Sequence, residues 1–276
     1  MFERLINDWD DAYANSQNIP GGEKWPEAWA GPARAFRDKI AAAGLAKLDV
    51  AYGEKPRNRL DLFLPATRPK GLVVFVHGGF WLRLDKSYFS HFAAGSLEQG
   101  YAVAVPSYTL CPDIRIGGIV GEIAAAIGAA AELVAGPLVL TGHSAGGHLV
   151  SRMVSATTPL PAEHLRRIRR VVSISGVHDL RPIMRTAMNE KLSIDEAEAL
   201  AESPALLRPA EDVRLTCWVG GNERAEFLRQ SELLANIWTG VGATTSLVTE
   251  PDRHHFTILD GLTDPEHALV RTLLTA

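Results

Sequence analysis

The stretch Gly142-His143-Ser144-Ala145-Gly146 constrains this chain more than any other. It stands behind the apolar run Pro137-Leu138-Val139-Leu140 and ahead of Gly147-His148-Leu149-Val150, so a strand ends there, a helix begins, and Ser144 occupies the corner. This is the G-x-S-x-G pattern of the nucleophile elbow, in which a serine on a sharp strand-to-helix turn projects its hydroxyl above a sheet. The flanking glycines have a steric reason, because a Cβ at Gly142 or Gly146 would collide with neighbouring backbone in so tight a turn. A plain glycine-rich turn with a capping serine reads similarly. The rest of the chain must therefore supply an oxyanion hole, a base and an acid in the right order.

The surrounding pattern is that of an α/β fold. From Gly71 onward short apolar runs alternate with helical stretches, which signals a mainly parallel central sheet flanked by helices on both faces. Strands are expected at 72–76, 101–105, 137–140, 171–175, 214–219 and 244–248, and helices at 88–99, 116–134, 147–155, 225–238 and 265–274. Upstream, β-like runs at 45–52 and 59–64 flank the turn-rich 53–58, an antiparallel hairpin that brings the count to about eight strands. Residues 1–44 read as an arm with one or two helices, carrying Trp9, Tyr13, Trp25 and Trp29. Residues 176–212 break the rhythm, and a connection of about forty residues is expected to hold short helices, a cap-like insertion over the strand ends. One domain spanning 1–276 accommodates all of this.

Composition narrows the function classes. Hydrophobic residues make up 46% of the 276, enough for a sizeable core, and the formal net charge is only −4. No basic run or basic-aromatic stripe is present, which argues against a nucleic-acid partner. The N-terminal stretch Met1-Phe2-Glu3-Arg4-Leu5-Ile6-Asn7-Asp8-Trp9-Asp10 is acidic and lacks a continuous apolar segment, so neither a signal peptide nor a membrane span is expected, and a cytoplasmic location is the default. Cys111 and Cys217 are far apart in sequence and read as reduced, buried thiols. His91, His148, His164, His178 and His267 fall at no ligand-like spacing, so neither a metal nor another cofactor is expected. The last strand offers an edge for homodimer pairing, with cover by the last helix as the alternative.

The apolar run Val73-Val74-Phe75-Val76 leads into His77-Gly78-Gly79-Phe80-Trp81, the H-G-G-x turn whose amides form an oxyanion hole in lipases and esterases. Glycine suits that task because amide N–H groups must approach the oxyanion to about 3 Å with no side chain between. Gly78, Gly79 and Phe80 are the candidates here, with Ala145 after the serine. In the chain order Ser, acid, His, the acid follows a later strand, and Glu223 in Val219-Gly220-Gly221-Asn222-Glu223 stands just past one. Glu226 is the rival but reads as a solvated first-turn acid of the next helix; Asp179 follows an earlier strand. The base comes from Pro251-Asp252-Arg253-His254-His255-Phe256, where only one of His254 and His255 can point at Ser144.

Together these motifs resemble the α/β-hydrolase superfamily, in its hormone-sensitive-lipase-like branch, and most nearly the kynurenine formamidases (arylformamidases) and related bacterial carboxylesterases. The resemblance covers nearly the whole chain, including Asp8-Trp9-Asp10-Asp11-Ala12-Tyr13, Leu60-Asp61-Leu62-Phe63, Gly176-Val177-His178-Asp179-Leu180-Arg181-Pro182, Ser203-Pro204 and His255-Phe256. It implies that His255, in the H-F pair, is the base. It also implies an aspartate where this chain has Glu223, a departure that adds one methylene; triads with glutamate are an accepted variant.

The function so implied is a serine hydrolase acting through an acyl-enzyme on a small-molecule ester, thioester or formamide, with Ser144, Glu223 and His255 as the triad. N-formyl aromatic amides are the substrate the resemblance implies, and a small-acyl carboxylesterase or thioesterase is the alternative. Trp81, His143, Trp25 and Trp29 are expected to line the substrate site. A non-catalytic binding protein on the same fold is expected to lack a triad member.

Overall fold

A computed structural model describes residues 5–275. Residues 1–4, the start of the expected arm, and Ala276 lie outside the described residues. Eight strands form one sheet: β1 (Ala46–Ala51), β2 (Arg59–Phe63), β3 (Leu72–Val76), β4 (Ala102–Pro106), β5 (Leu138–His143), β6 (Ile168–Ile174), β7 (Arg214–Gly220) and β8 (Thr244–Glu250). Their order is β1-β2-β4-β3-β5-β6-β7-β8. β2 runs antiparallel to both β1 and β4, and every other neighbour pair is parallel. The sheet is thus the mainly parallel one expected, with an antiparallel N-terminal hairpin.

Side-chain alternation along β3 divides the core in two. Leu72, Val74 and Val76 enter one apolar layer, with the helix Ile116–Leu133 and Leu149, while Val73 and Phe75 enter the other, with Trp29, Phe89 and Phe92. Burial on both faces is why this strand reads as a continuous apolar run. The helix Ile116–Leu133 has a mean hydropathy of 1.6 and is long enough to cross a bilayer, but it buries Ile116, Ile119, Ile123 and Ile127 against the sheet. Its Glu122 accepts the Thr109 amide at 2.7 Å.

Some elements differ from the sequence expectation. The helix expected at 88–99 is two 3₁₀ turns, Lys86–Tyr88 and Ser90–Ala93, followed by a short α-helix, Ala94–Glu98. Phe89 and Phe92, three apart, both bury against Phe75, and a spacing of three residues per turn sets such a pair on one side. The last helix begins only at Ala268 and packs on β5 and β6 in mid-sheet, so it does not cover the β8 edge. Cys111 and Cys217 are buried and unbridged, and burial pushes both thiols up to about 12.

The arm contains the helices Trp9–Tyr13 and Asn15–Asn18, a 3₁₀ turn at Gly22–Lys24, and the long helix Trp25–Ala42. Asp8 caps the first by accepting the Asp11 amide at 2.9 Å. The 176–212 segment contains the short helices expected of it, Asn189–Leu192 and Glu196–Glu202, between 3₁₀ turns at Ile183–Arg185 and Pro204–Leu206. Ion pairs from Arg115 to Glu198 at 2.9 Å and from Arg152 to Glu202 at 2.8 Å fasten that segment to the body.

Candidate active site

The elbow is as tight as its glycines require. Ser144 has φ 56° and ψ −116°, a conformation rarely adopted by a residue with a side chain and held only where the surroundings over-determine it. A Cβ on Gly142 would lie 2.3 Å from the Gly146 carbonyl oxygen, and one on Gly146 would lie 1.9 Å from that of Val76. Ser144 is therefore presented where β5 ends and the helix Ala145–Arg152 begins.

Beside it runs the His77–Trp81 turn. A Cβ on Gly78 would approach the His143 carbonyl oxygen to 2.8 Å, so glycine lets this turn lie directly against the elbow. Gly79 has φ +111° and Phe80 φ 52°, which turns the backbone back on itself. The amides of Gly78, Gly79, Phe80 and Ala145 engage no backbone acceptor among the described residues, leaving unpaired donors beside the serine. His77 sits behind the turn, stacked on Tyr108 at 4.3 Å, and donates from Nδ1 to the Gly78 carbonyl at 2.7 Å. Burial lowers its pKa to about 4, so it is a neutral brace at neutral pH.

Glu223 and His255 meet at a buried contact: Nδ1 of His255 lies 2.6 Å from Oε2 of Glu223. A carboxylate can only accept, so Nδ1 is the donor, and in a neutral imidazole that leaves Nε2 as the acceptor. The other carboxylate oxygen, Oε1, accepts from the Ser175 hydroxyl and from the Gly220 amide, the latter at 2.9 Å. His143 donates from Nε2 to the His255 carbonyl at 2.7 Å, and burial holds its pKa well below the usual imidazole range. Phe227 packs its ring 4.4 Å from that of His255.

Ser144 and His255 both border a cavity of about 330 Å³. Gly78, Gly79 and Phe80 form one wall, and Trp29, Phe89, Phe256 and His143 make an aromatic one. Tyr13, Asn15, Ser16 and Gln17 of the arm close a third side, and Met188 reaches in from the 176–212 segment.

The structure thus brings together Ser144, Glu223, His255, the candidate oxyanion amides, His143 and Trp29. Two expected pocket residues lie elsewhere. Trp81 is fully buried in the core with its ring edge-on to His148, because the left-handed turn at Phe80 and Trp81 sends it beneath the site. Trp25 packs behind the cavity on Trp29, His254 and Phe256. Glu226 is not a solvated acid: it is buried, accepts from Tyr13 Oη at 2.7 Å, and pairs with Arg229 at 2.7 Å. His254 serves its own loop, with Nδ1 accepting the amides of Phe256 and Thr257. Asp179 pairs with Arg181 at 2.8 Å. Sequence reasoning missed Ser175, Gly220 and the Asn15–Gln17 wall. Of these only Gly220 carries a sequence signal, its place in the Gly220-Gly221 pair ahead of the acid.

The BD-FAE family model matches residues 60–211, just over half of the chain. The kynurenine formamidase of Danio rerio is 30% identical over 82% of this chain and 80% of its own length. That of Salmo salar is 30% identical over 84% and 83% respectively. Among solved structures, a protein from Silicibacter sp. TM1040 assigned as a thioesterase superposes with a TM-score of 0.93 at 46% identity, covering 97% of this chain and 99% of that one. Esterase B from Lactobacillus rhamnosis shares the fold, with a TM-score of 0.68 at 20% identity over 90% and 92% of the two chains. With a family match over half its length and relatives aligned across four-fifths of theirs, the chain belongs to the BD-FAE and kynurenine formamidase family of α/β-hydrolases and is an esterase or formamidase of the serine-hydrolase type.

Proposed function

We propose that this chain hydrolyses N-formyl aromatic amides, together with short-chain esters, through an acyl-enzyme on Ser144. The observation that carries the reading is the 2.6 Å Glu223–His255 contact beside a cavity that the elbow serine also borders. His255 takes the proton of the Ser144 hydroxyl at Nε2, and the serine oxygen attacks the formyl carbonyl. The amides of Gly79, Phe80 and Ala145 are the donors for the tetrahedral oxyanion. His255 then returns the proton to the departing aniline nitrogen, and water attacks the formyl ester with the same imidazole as base, releasing formate. Glu223 holds the tautomer and stabilises the imidazolium without itself becoming protonated.

Cavity size agrees with this substrate class. At about 330 Å³ it lies at the small end of ligand pockets, roughly 300–1,000 Å³, and takes one aromatic ring with a small acyl group. Trp29, Phe89 and Phe256 supply a face for the ring. A second reading, a small-acyl thioesterase, is favoured by the 46% identity to the Silicibacter protein. The test is kcat/KM on N-formylkynurenine beside p-nitrophenyl acetate and an acetyl thioester. A formamide value comparable to or above the others is expected, and one many orders lower would favour the esterase or thioesterase reading.

A further inference from the structure

One side chain on the cavity has no role in the chemistry above. Asn15 is 4% exposed and borders the same cavity as Ser144 and His255, yet neither its Oδ1 nor its Nδ2 has a hydrogen-bond partner among the described residues. Buried amides are ordinarily satisfied, and an orphaned one in a binding site is a group awaiting its complement. The segment around it is well anchored. Two residues earlier, Tyr13 donates to Glu226 at 2.7 Å and accepts from Gln230 at 2.9 Å. Three residues later, Asn18 donates to the Ala14 carbonyl at 2.9 Å.

We propose that Asn15 is a specificity-determining residue that reads the leaving group of the substrate. A planar carboxamide offers a donor and an acceptor side by side, and its complement is a carbonyl oxygen next to an N–H. The substrate class is therefore an aryl ester or anilide whose ring carries a carbonyl group adjacent to the scissile bond. In an anilide the N–H is that of the scissile amide itself, and in an ester it belongs to a ring carboxamide. The oxyanion amides hold the acyl end and Asn15 the other, so the ring lies between two fixed points. This inference rests on the serine-hydrolase reading of the same cavity.

The experiment uses esters, so that it reads out whether or not formamides are cleaved. Phenyl acetate and 2-carbamoylphenyl acetate share the acyl group and differ in the carboxamide alone. Their kcat/KM ratio is compared between the wild-type chain and Asn15→Leu, so intrinsic leaving-group reactivity cancels. We expect the ratio to fall by about tenfold, as loss of a buried hydrogen bond implies. Asn15→Asp, which keeps the shape but loses both N–H donors, is the second variant and is expected to act in the same direction. An unchanged ratio overturns the proposal, as does an equal loss on both esters, which would make Asn15 a structural part of the arm. Failure of the wild-type chain on N-formylkynurenine would overturn the formamidase reading and leave this ratio intact.

Discussion

Tyr13 donates to Glu226 across 213 positions of sequence, with an oxygen-to-oxygen distance of 2.7 Å. Glu226 stands near the start of the helix Ala225–Gly240, directly after the loop that carries Glu223, so this contact fastens the arm wall of the cavity next to Glu223. Asp11 to Arg224, and the Ala187 amide to Asp10 at 2.7 Å, reinforce it. Tyr13→Phe is expected to cost about 1 kcal/mol, a fall in Tm of about 2–3 °C, because Glu226 keeps Arg229 and Gln230 as partners. KM for aromatic substrates should rise in the same variant. Thermal unfolding and steady-state kinetics read both, and an unchanged KM would detach the arm from the cavity's function.

Ser144→Ala should abolish turnover, by about 10⁴-fold or more, while the fold persists, since alanine is smaller and only the nucleophile is lost. Labelling by an organophosphate should vanish with it. Label on another serine would move the nucleophile.

His255→Ala is expected to cost several orders of magnitude in kcat/KM, and His254→Ala no more than about tenfold. The reason is in their partners: Glu223 for one, and two loop amides at 3.2 and 3.3 Å for the other. Reversed magnitudes would shift the base by one position.

For the acid, Glu223→Gln should lower kcat by about 10²–10⁴, because a carboxamide stabilises the wrong imidazole tautomer. Glu226→Gln should leave kcat within about tenfold and instead lower stability, by loss of its Arg229 pair. Comparable losses of kcat in the two variants would contradict the assignment.

Stability should fall on mild acidification. Burial is the leading cause lowering His77 and His148 to about 4 and His178 to about 3, whereas an unfolded histidine titrates near ~6.5. Below that value the unfolded chain binds protons that the folded chain refuses, so the unfolding free energy is full above pH ~6.5 and declines as the pH drops toward 4. The limiting slope is about 1.4 kcal/mol per pH unit for each such group. Urea midpoints at pH 7.5, 6 and 5 measure it, and a flat series would show that these imidazoles are not held neutral.

Much of this molecule was legible in sequence because its signals are local. Continuous apolar runs report strands buried on both faces, and the β3 and β5 runs announced themselves that way. Gly142, Ser144 and Gly146 announced the elbow because backbone crowding there excludes any Cβ. The order of serine, acid and histidine follows from where strand ends lie in an open parallel sheet.

What tertiary structure decided is whatever depends on neighbours far away in sequence. An aromatic beside a motif reads the same whether it faces a cavity or the core, and only the packed chain sends Trp81 down onto His148 while Trp29 faces the site. A glutamate in a first helical turn looks solvated until a tyrosine from the arm arrives to bury it, as Tyr13 does at Glu226. The support of Glu223 by Ser175 joins two loops separated by a whole βα unit. Apolar periodicity and glycine sterics are properties of a few consecutive residues and therefore of the sequence, whereas burial of a polar group and the partner that satisfies it exist only once distant segments meet.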